Sequence, residues 1–142
     1  MSNERKHTLA IFYCQNVLES SEKDRQALEK KYGRSMRLFP LPCSGRLESV
    51  HLLRALEEFA DAAYVITCPE GTCKYFEGNL RAKKRVETAK SIITSIGLEE
   101  ERLGVIVSTK KERKTLTVLA GEIMERVSKI PLSPVLKQTV GS

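Results

Sequence analysis

The chain has 142 residues, 41% of them hydrophobic and 30% charged, with a formal net charge of +6. That length suits one ordinary domain, able to bury roughly two-thirds of its unfolded surface without a covalent staple. The absence of tryptophan and an aromatic content of 6% argue against a base-stacking nucleic-acid platform, and no apolar run nears the ~20 residues of a membrane helix.

The first seven residues, Met1–His7, are polar, and the apolar stretch after them is too short for a secretory signal. The expected location is therefore the cytoplasm, where thiols stay reduced and disulfides are unusual. His7–Cys14 (HTLAIFYC) is the first β-type run, near-continuously apolar as in strands buried on both faces. Glu19–Lys31 reads as a charged helix with Leu28 facing inward and Gly33 at its exit. Met36–Cys43 (MRLFPLPC) is a second strand. Its Pro40 and Pro42 cannot donate to a ladder, which assigns it to a sheet edge.

Ser44 can cap a helix over Gly45–Phe59 in which Leu47, Val50, Leu53 and Leu56 form the expected inward stripe. Ala62–Cys68 (AAYVITC) is a third strand, again apolar throughout. Asn79 can cap Leu80–Ile96, whose expected inward face is Ala82, Val86, Ala89, Ile93 and Ile96, with Gly97 closing it. Leu103–Thr109 is a fourth strand. Glu112–Ile130 is a last helix, with Leu116, Leu119, Ala120, Ile123 and Val127 at helical spacing and Pro131 ending it. The alternation βαβαβαβα predicts a single α/β domain over residues 1–131. It would hold a four-stranded parallel sheet in the order 2-1-3-4, flavodoxin-like or Rossmann-like, with helices on both faces. Residues 132–142 read as a flexible tail.

The chain has four cysteines, and their order in the fold is more informative than their spacing. Cys14, Cys43 and Cys68 each close a predicted strand, and Cys73 lies in the loop leaving the third. Parallel strands end on one edge, and neighbours lie about 4.8 Å apart. The four thiols should thus gather at the carboxyl edge, where open α/β sheets place their ligands. A free cysteine at a strand end is also an ordinary small hydrophobe, but three such ends plus a loop thiol favour a shared ligand or redox role. Thiolates admit zinc, a [2Fe–2S] or a [4Fe–4S] centre, and geometry alone does not choose among them.

Ser44-Gly45-Arg46 follows Cys43 directly. Its backbone N–H groups could bond cluster sulfurs, or serve simply as a helix cap. Arg81, Lys83, Lys84 and Arg85 begin the next helix and would rim the same edge, either steering an acidic electron-transfer partner or forming a solvated face. Rival sites are weaker. The segment after the first strand, Cys14-Gln-Asn-Val-Leu-Glu, lacks the glycines of a flavin phosphate loop. Cys68 has no arginine placed to clamp a phosphate. His7 and His51 read as surface residues.

Three motifs carry a resemblance: Pro42-Cys-Ser-Gly-Arg46, then Cys68-x-x-Gly-x-Cys73-x-Tyr75-x-x-Gly78-Asn79, then Gly97-x-x-x-Glu101-Arg-Leu103. In this order and at these distances they resemble the delta subunit of methyl-viologen-reducing hydrogenase, over roughly residues 7–130. The resemblance implies a small protein holding a [2Fe–2S] cluster through Cys14, Cys43, Cys68 and Cys73. Such a protein passes electrons between a hydrogenase, or another electron-input module, and a heterodisulfide reductase-type complex in anaerobic microbes. It implies an electron-transfer subunit rather than a catalyst, with no nucleic-acid or membrane partner. The chain departs from the family pattern after the first strand. Val17 stands where a further cysteine is expected, the Trp of a Cys-x-Trp-Cys segment is absent, and Lys74 replaces a common His. The helix region Glu19–Gly33 matches less closely. The alternative reading is a zinc-binding or cluster-less member acting as a docking or assembly module.

Overall fold

The computed structural model describes residues 7–14, 21–41, 49–67, 78–107 and 115–130. In chain order the elements are β1 (Leu9–Cys14), α1 (Glu22–Tyr32), β2 (Met36–Leu41), α2 (Ser49–Glu58), β3 (Ala62–Thr67), α3 (Gly78–Ser95), β4 (Leu103–Val107) and α4 (Leu116–Val127). The four strands form one sheet in the order β2-β1-β3-β4, and every pairing is parallel. This is the single α/β domain and strand order that the sequence predicts. Cys14 closes β1 as expected. The predicted ends of the second and third strands at Cys43 and Cys68, and the tail from 132, lie outside the described residues. No described helix is long and apolar enough to cross a membrane.

Side-chain alternation sorts the core into two halves. Leu9, Ile11, Tyr13, Ala62, Tyr64 and Ile66 face α1 and α4, where they meet Leu28, Leu116, Leu119, Ile123 and Val127. Ala10, Phe12, Ala63 and Val65 face α2 and α3, against Leu52, Ala55, Leu56, Val86, Ala89 and Ile93. Both faces of the central strands are thus covered, which is why their sequences run apolar without a polar alternate.

Strand β2 lies at a sheet edge, as its prolines require. The Glu29 carboxylate, on α1, accepts the outward N–H of Leu38 at 3.1 Å. Residue 40 has the same strand parity as Leu38, and there proline removes the outward donor altogether. The open edge is thereby blunted against a further strand.

Helix ends follow local chemistry. Ser21 caps α1 through a capping box with Asp24, so the helix starts at Glu22 rather than Glu19. Its surface carries Arg25 between Glu22 and Glu29. Thr115 caps α4, which therefore starts at Leu116 rather than Glu112. Helix α3 ends in a Schellman motif: Leu98 N–H donates to Ile93 O at 3.0 Å and Gly97 N–H to Thr94 O at 3.1 Å. Gly97 takes φ +92°, the left-handed region that a side chain disfavours.

Two expected inward faces need correction. Leu56 is buried as expected and Leu53 partly so, but Val50 is 52% exposed, Leu52 and Ala55 complete the buried face, and Leu47 lies outside the described residues. Residues three apart turn 300°, not 360°, so a constant spacing of three walks around the helix. The buried set follows the i, i+3, i+4 rule. Ile96 is 65% exposed because it sits at the helix cap. Leu98 folds back beyond the Schellman turn and takes its place in the core.

The amino edge of the sheet is held by a polar latch. Thr8 N–H donates to the Asp61 carboxylate at 2.8 Å, and Asp61 N–H returns a bond to Thr8 O at 2.8 Å. Arg102, fully buried, donates to Asp61 O at 3.0 Å and to the Glu99 carboxylate at 2.6 Å. Tyr64 O–H donates to Glu101 O at 2.9 Å, and its ring lies across β4 at its register partner Gly104. His7 donates through Nε2 to the Ile130 carbonyl, tying the start of β1 to the end of α4. The reading of His7 as a surface residue is therefore revised to half-buried and bonded, whereas His51 is exposed as expected.

These contacts yield three expectations. A Cβ built at Gly104 would meet Tyr64 Cδ2 at 2.9 Å. Gly104→Ala should therefore lower stability by about 1–3 kcal/mol in denaturant titration. Arg102→Met should cost roughly 1–3 kcal/mol in the same assay, since it leaves the buried Asp61 carbonyl without this donor. The Ser21 hydroxyl, and secondarily the Ser21 N–H, hold the Asp24 carboxyl below the ordinary aspartate range. A lowered folded pKa contributes stability above the unfolded value of about 3.9 and loses it as pH falls further. The thermal midpoint of Asp24→Asn should lie below wild type at pH 7, and the gap should close on acidification below the ordinary aspartate range.

Candidate metal centre at the carboxyl edge of the sheet

All four strands leave the sheet at one edge because all four are parallel. Strand β1 is central and ends at Cys14. Its register partner on one side is Leu41, two residues before Cys43. On the other side the last pair is Tyr13 with Ile66. Cys14 and Thr67 each come one step later, and Thr67 directly precedes Cys68. The strand order thus brings the departure points toward Cys43 and Cys68 to either side of Cys14. Cys43, Ser44, Gly45 and Arg46 lie in residues 42–48, and Cys68 and Cys73 lie in residues 68–77, outside the described residues. Among the described residues no group of three or more His, Cys, Asp or Glu could hold a metal ion.

The two connections that carry Cys43, Cys68 and Cys73 lead into α2 and α3. Both helices cover the same face of the sheet. They run side by side: Ser49 O–H, at the described start of α2, donates to Arg85 O of α3 at 2.9 Å. Seven residues, Gly78–Lys84, precede Arg85 in α3. At 1.5 Å per residue they carry this helix roughly 10 Å past the described start of α2. Helices that return between parallel strands run antiparallel to them, so the overhang lies on the carboxyl side.

Lys83 and Lys84 are exposed on this overhang, Arg85 is half-buried, and Arg81 shares the same turns. The first turn of α3 has no acidic residue. The exposed charges of Lys83 and Lys84 give this end of the helix a positive field that favours an anion at the carboxyl edge.

Sequence reasoning overlooked Thr67. It is fully buried, and its Oγ1 has no hydrogen-bond partner among the described residues. An unpaired buried hydroxyl costs about 1–3 kcal/mol. The legible signal was a lone polar residue ending an apolar run immediately before a cysteine. Tyr13, next to Cys14, belongs to the opposite face with α1 and α4. The third sequence motif leads into the start of β4, at the opposite end of the sheet from Cys14. Gly97 closes α3, Glu101 O anchors Tyr64 and Arg102 serves the amino-edge latch, all of them structural roles.

The family model described as "Methyl-viologen-reducing hydrogenase, delta subunit" matches residues 9–131. The chain is similar to the iron-sulfur subunit of the F420-non-reducing hydrogenase vhu of Methanocaldococcus jannaschii. That match is 31% identical over 108 residues, covering 76% of this chain and 81% of the relative. The protein of the same description from Methanopyrus kandleri is 31% identical over 100 residues, covering 70% of this chain and 76% of that one. A component of the ferredoxin:CoB-CoM heterodisulfide reductase of Methanosarcina mazei is 32% identical over 108 residues. The match covers 75% of this chain but 14% of that much longer protein. With nearly its whole folded length matched by the family model, the chain belongs to the methyl-viologen-reducing hydrogenase delta subunit family.

Proposed function

We propose that this protein is an electron-transfer subunit holding a cysteine-ligated iron–sulfur cluster of the [2Fe–2S] type. It passes electrons between a hydrogenase, or another electron-input module, and a heterodisulfide reductase-type complex. One observation carries this reading: the same domain matches both the iron-sulfur subunit of a hydrogenase and a short stretch of a heterodisulfide reductase component. A domain that recurs in both settings suits a common electron-carrying module.

The residues at the carboxyl edge fit such a group. Four thiolates are the ligand complement of an iron–sulfur centre. Cys14, Cys43, Cys68 and Cys73 are the chain's full supply. Cys14 ends the central strand. Cys68 follows Thr67 directly, and Cys43 follows Leu41 after a single residue, so both are tethered close to the described ends of the neighbouring strands. The Thr67 hydroxyl, without a hydrogen-bond partner among the described residues, leaves a polar group at this edge able to bond a further one. When bound, the cluster supplies one-electron redox chemistry. The chain's own contributions are the ligand thiolates, the N–H groups of Ser44, Gly45 and Arg46 as sulfur-directed donors, and the burial that excludes water on the α2/α3 face. The basic overhang at Lys83 and Lys84 stabilises negative charge at the edge and steers an acidic redox partner.

Oxygen-free purification followed by iron and acid-labile sulfide analysis tests the reading. The expected result is two irons and two sulfides per chain, in keeping with that cluster type, with visible absorption that dithionite bleaches. Cys68→Ser and Cys73→Ser should each lose that absorption. A colourless, folded, oxygen-free preparation would sink the proposal. Stoichiometric zinc in it would assign a zinc centre, and no metal at all would assign a docking module.

A further inference from the structure

Thr67 combines three properties that rarely coincide. It is fully buried, its hydroxyl has no partner among the described residues, and it ends the central strand β3 at the carboxyl edge. Nearly all buried polar groups in folded proteins are bonded, and an exception calls for an acceptor or donor outside the accounted groups.

Strand alternation sets its direction. Ala63 and Val65 lie on the α2/α3 face, so Thr67 does too. The connections carrying Cys43, Cys68 and Cys73 enter α2 and α3, the helices that cover that face. A hydroxyl can donate or accept, whereas a thiolate or sulfide can only accept. Valine in place of Thr67 would match its shape and avoid the desolvation penalty, so packing alone does not account for the oxygen.

We infer that Thr67 is a positioning residue whose hydroxyl donates a hydrogen bond to a sulfur held at this edge. That sulfur is either a ligand thiolate or a cluster sulfide. The inference rests on the cluster proposed above. Hydrogen bonds to the sulfurs stabilise the more negative, reduced state and raise the reduction potential. Thr67 is thus a potential-setting residue, distinct from the ligands themselves.

The test compares wild type with Thr67→Val and Thr67→Ser, each purified without oxygen. Cluster content comes first, by iron and sulfide analysis. Redox titration monitored by electron paramagnetic resonance then gives the potential. Thr67→Val should keep the cluster and shift to lower potential, with up to about a tenfold smaller ratio of reduced to oxidised form at fixed ambient potential. That ratio corresponds to about 59 mV for one electron. Thr67→Ser, which keeps the hydroxyl, should restore most of the shift. In the metal-free chain the sign reverses: Thr67→Val should raise the thermal midpoint, because it removes an unpaired buried hydroxyl.

An unchanged potential in cluster-bearing Thr67→Val would overturn the inference and leave the cluster proposal standing. So would a lowered midpoint in metal-free Thr67→Val, because the hydroxyl would then be bonded to protein. Wild type without iron and sulfide would overturn both. Should Thr67→Val fail to retain the cluster, a Thr67→Ser protein with wild-type potential supports the inference and one with the valine-like loss overturns it.

Discussion

The constraint on which this molecule depends is that its strands all run one way. A parallel sheet must return each strand through a crossover, and the crossovers bury both sheet faces beneath helices. It also sends every strand out through the same edge. In the order β2-β1-β3-β4 the strand leading to each of the first three cysteines is adjacent to another. The described ends of β1, β2 and β3, distant in the chain, thereby lie side by side at that edge.

The two sheet edges have opposite characters. At the amino edge the polar groups are paired in a fixed pattern: Thr8 with Asp61, Asp61 with Arg102, Arg102 with Glu99, and Tyr64 with Glu101. These bonds tie the starts of β1, β3 and β4 together, and buried polar groups so paired specify one register rather than several. Gly104 belongs to the same device, because only a residue without Cβ lets the Tyr64 ring lie across β4. The carboxyl edge carries the buried Thr67, whose hydroxyl has no partner among the described residues, and the basic turns that open α3. Open α/β folds usually place their ligands at the carboxyl edge, opposite an amino edge paired in this way.

The amino-terminal turns of α3 carry exposed positive charge. Lys83 and Lys84 lie in its second turn, and the first turn has no acidic residue to offset them. In the proposed function this positive field would offset the negative charge of a thiolate-bound cluster and attract an acidic redox partner. Edge strand β2, capped by Glu29 and Pro40, completes the surface by presenting no open ladder for unplanned strand pairing.

Much of this was legible without coordinates. The apolar runs, the prolines of β2 and the glycine stops determined four strands, four helices, their parallel order and the edge position of β2, because these depend on local periodicity and on connection rules. The cysteine motifs carried the family resemblance for the same reason, being contiguous in the chain. The inward face of α2 was misjudged at Val50, and Ile96 was placed in the core that Leu98 occupies. A repeated apolar spacing does not reveal which side a neighbouring helix will cover. Only the tertiary structure decided that Arg102 would be buried against Asp61, that Gly104 would admit a tyrosine ring and that the Thr67 hydroxyl would be buried with no hydrogen-bond partner among the described residues. Each depends on atoms brought together from distant segments, and no local rule of charge, propensity or spacing contains that information.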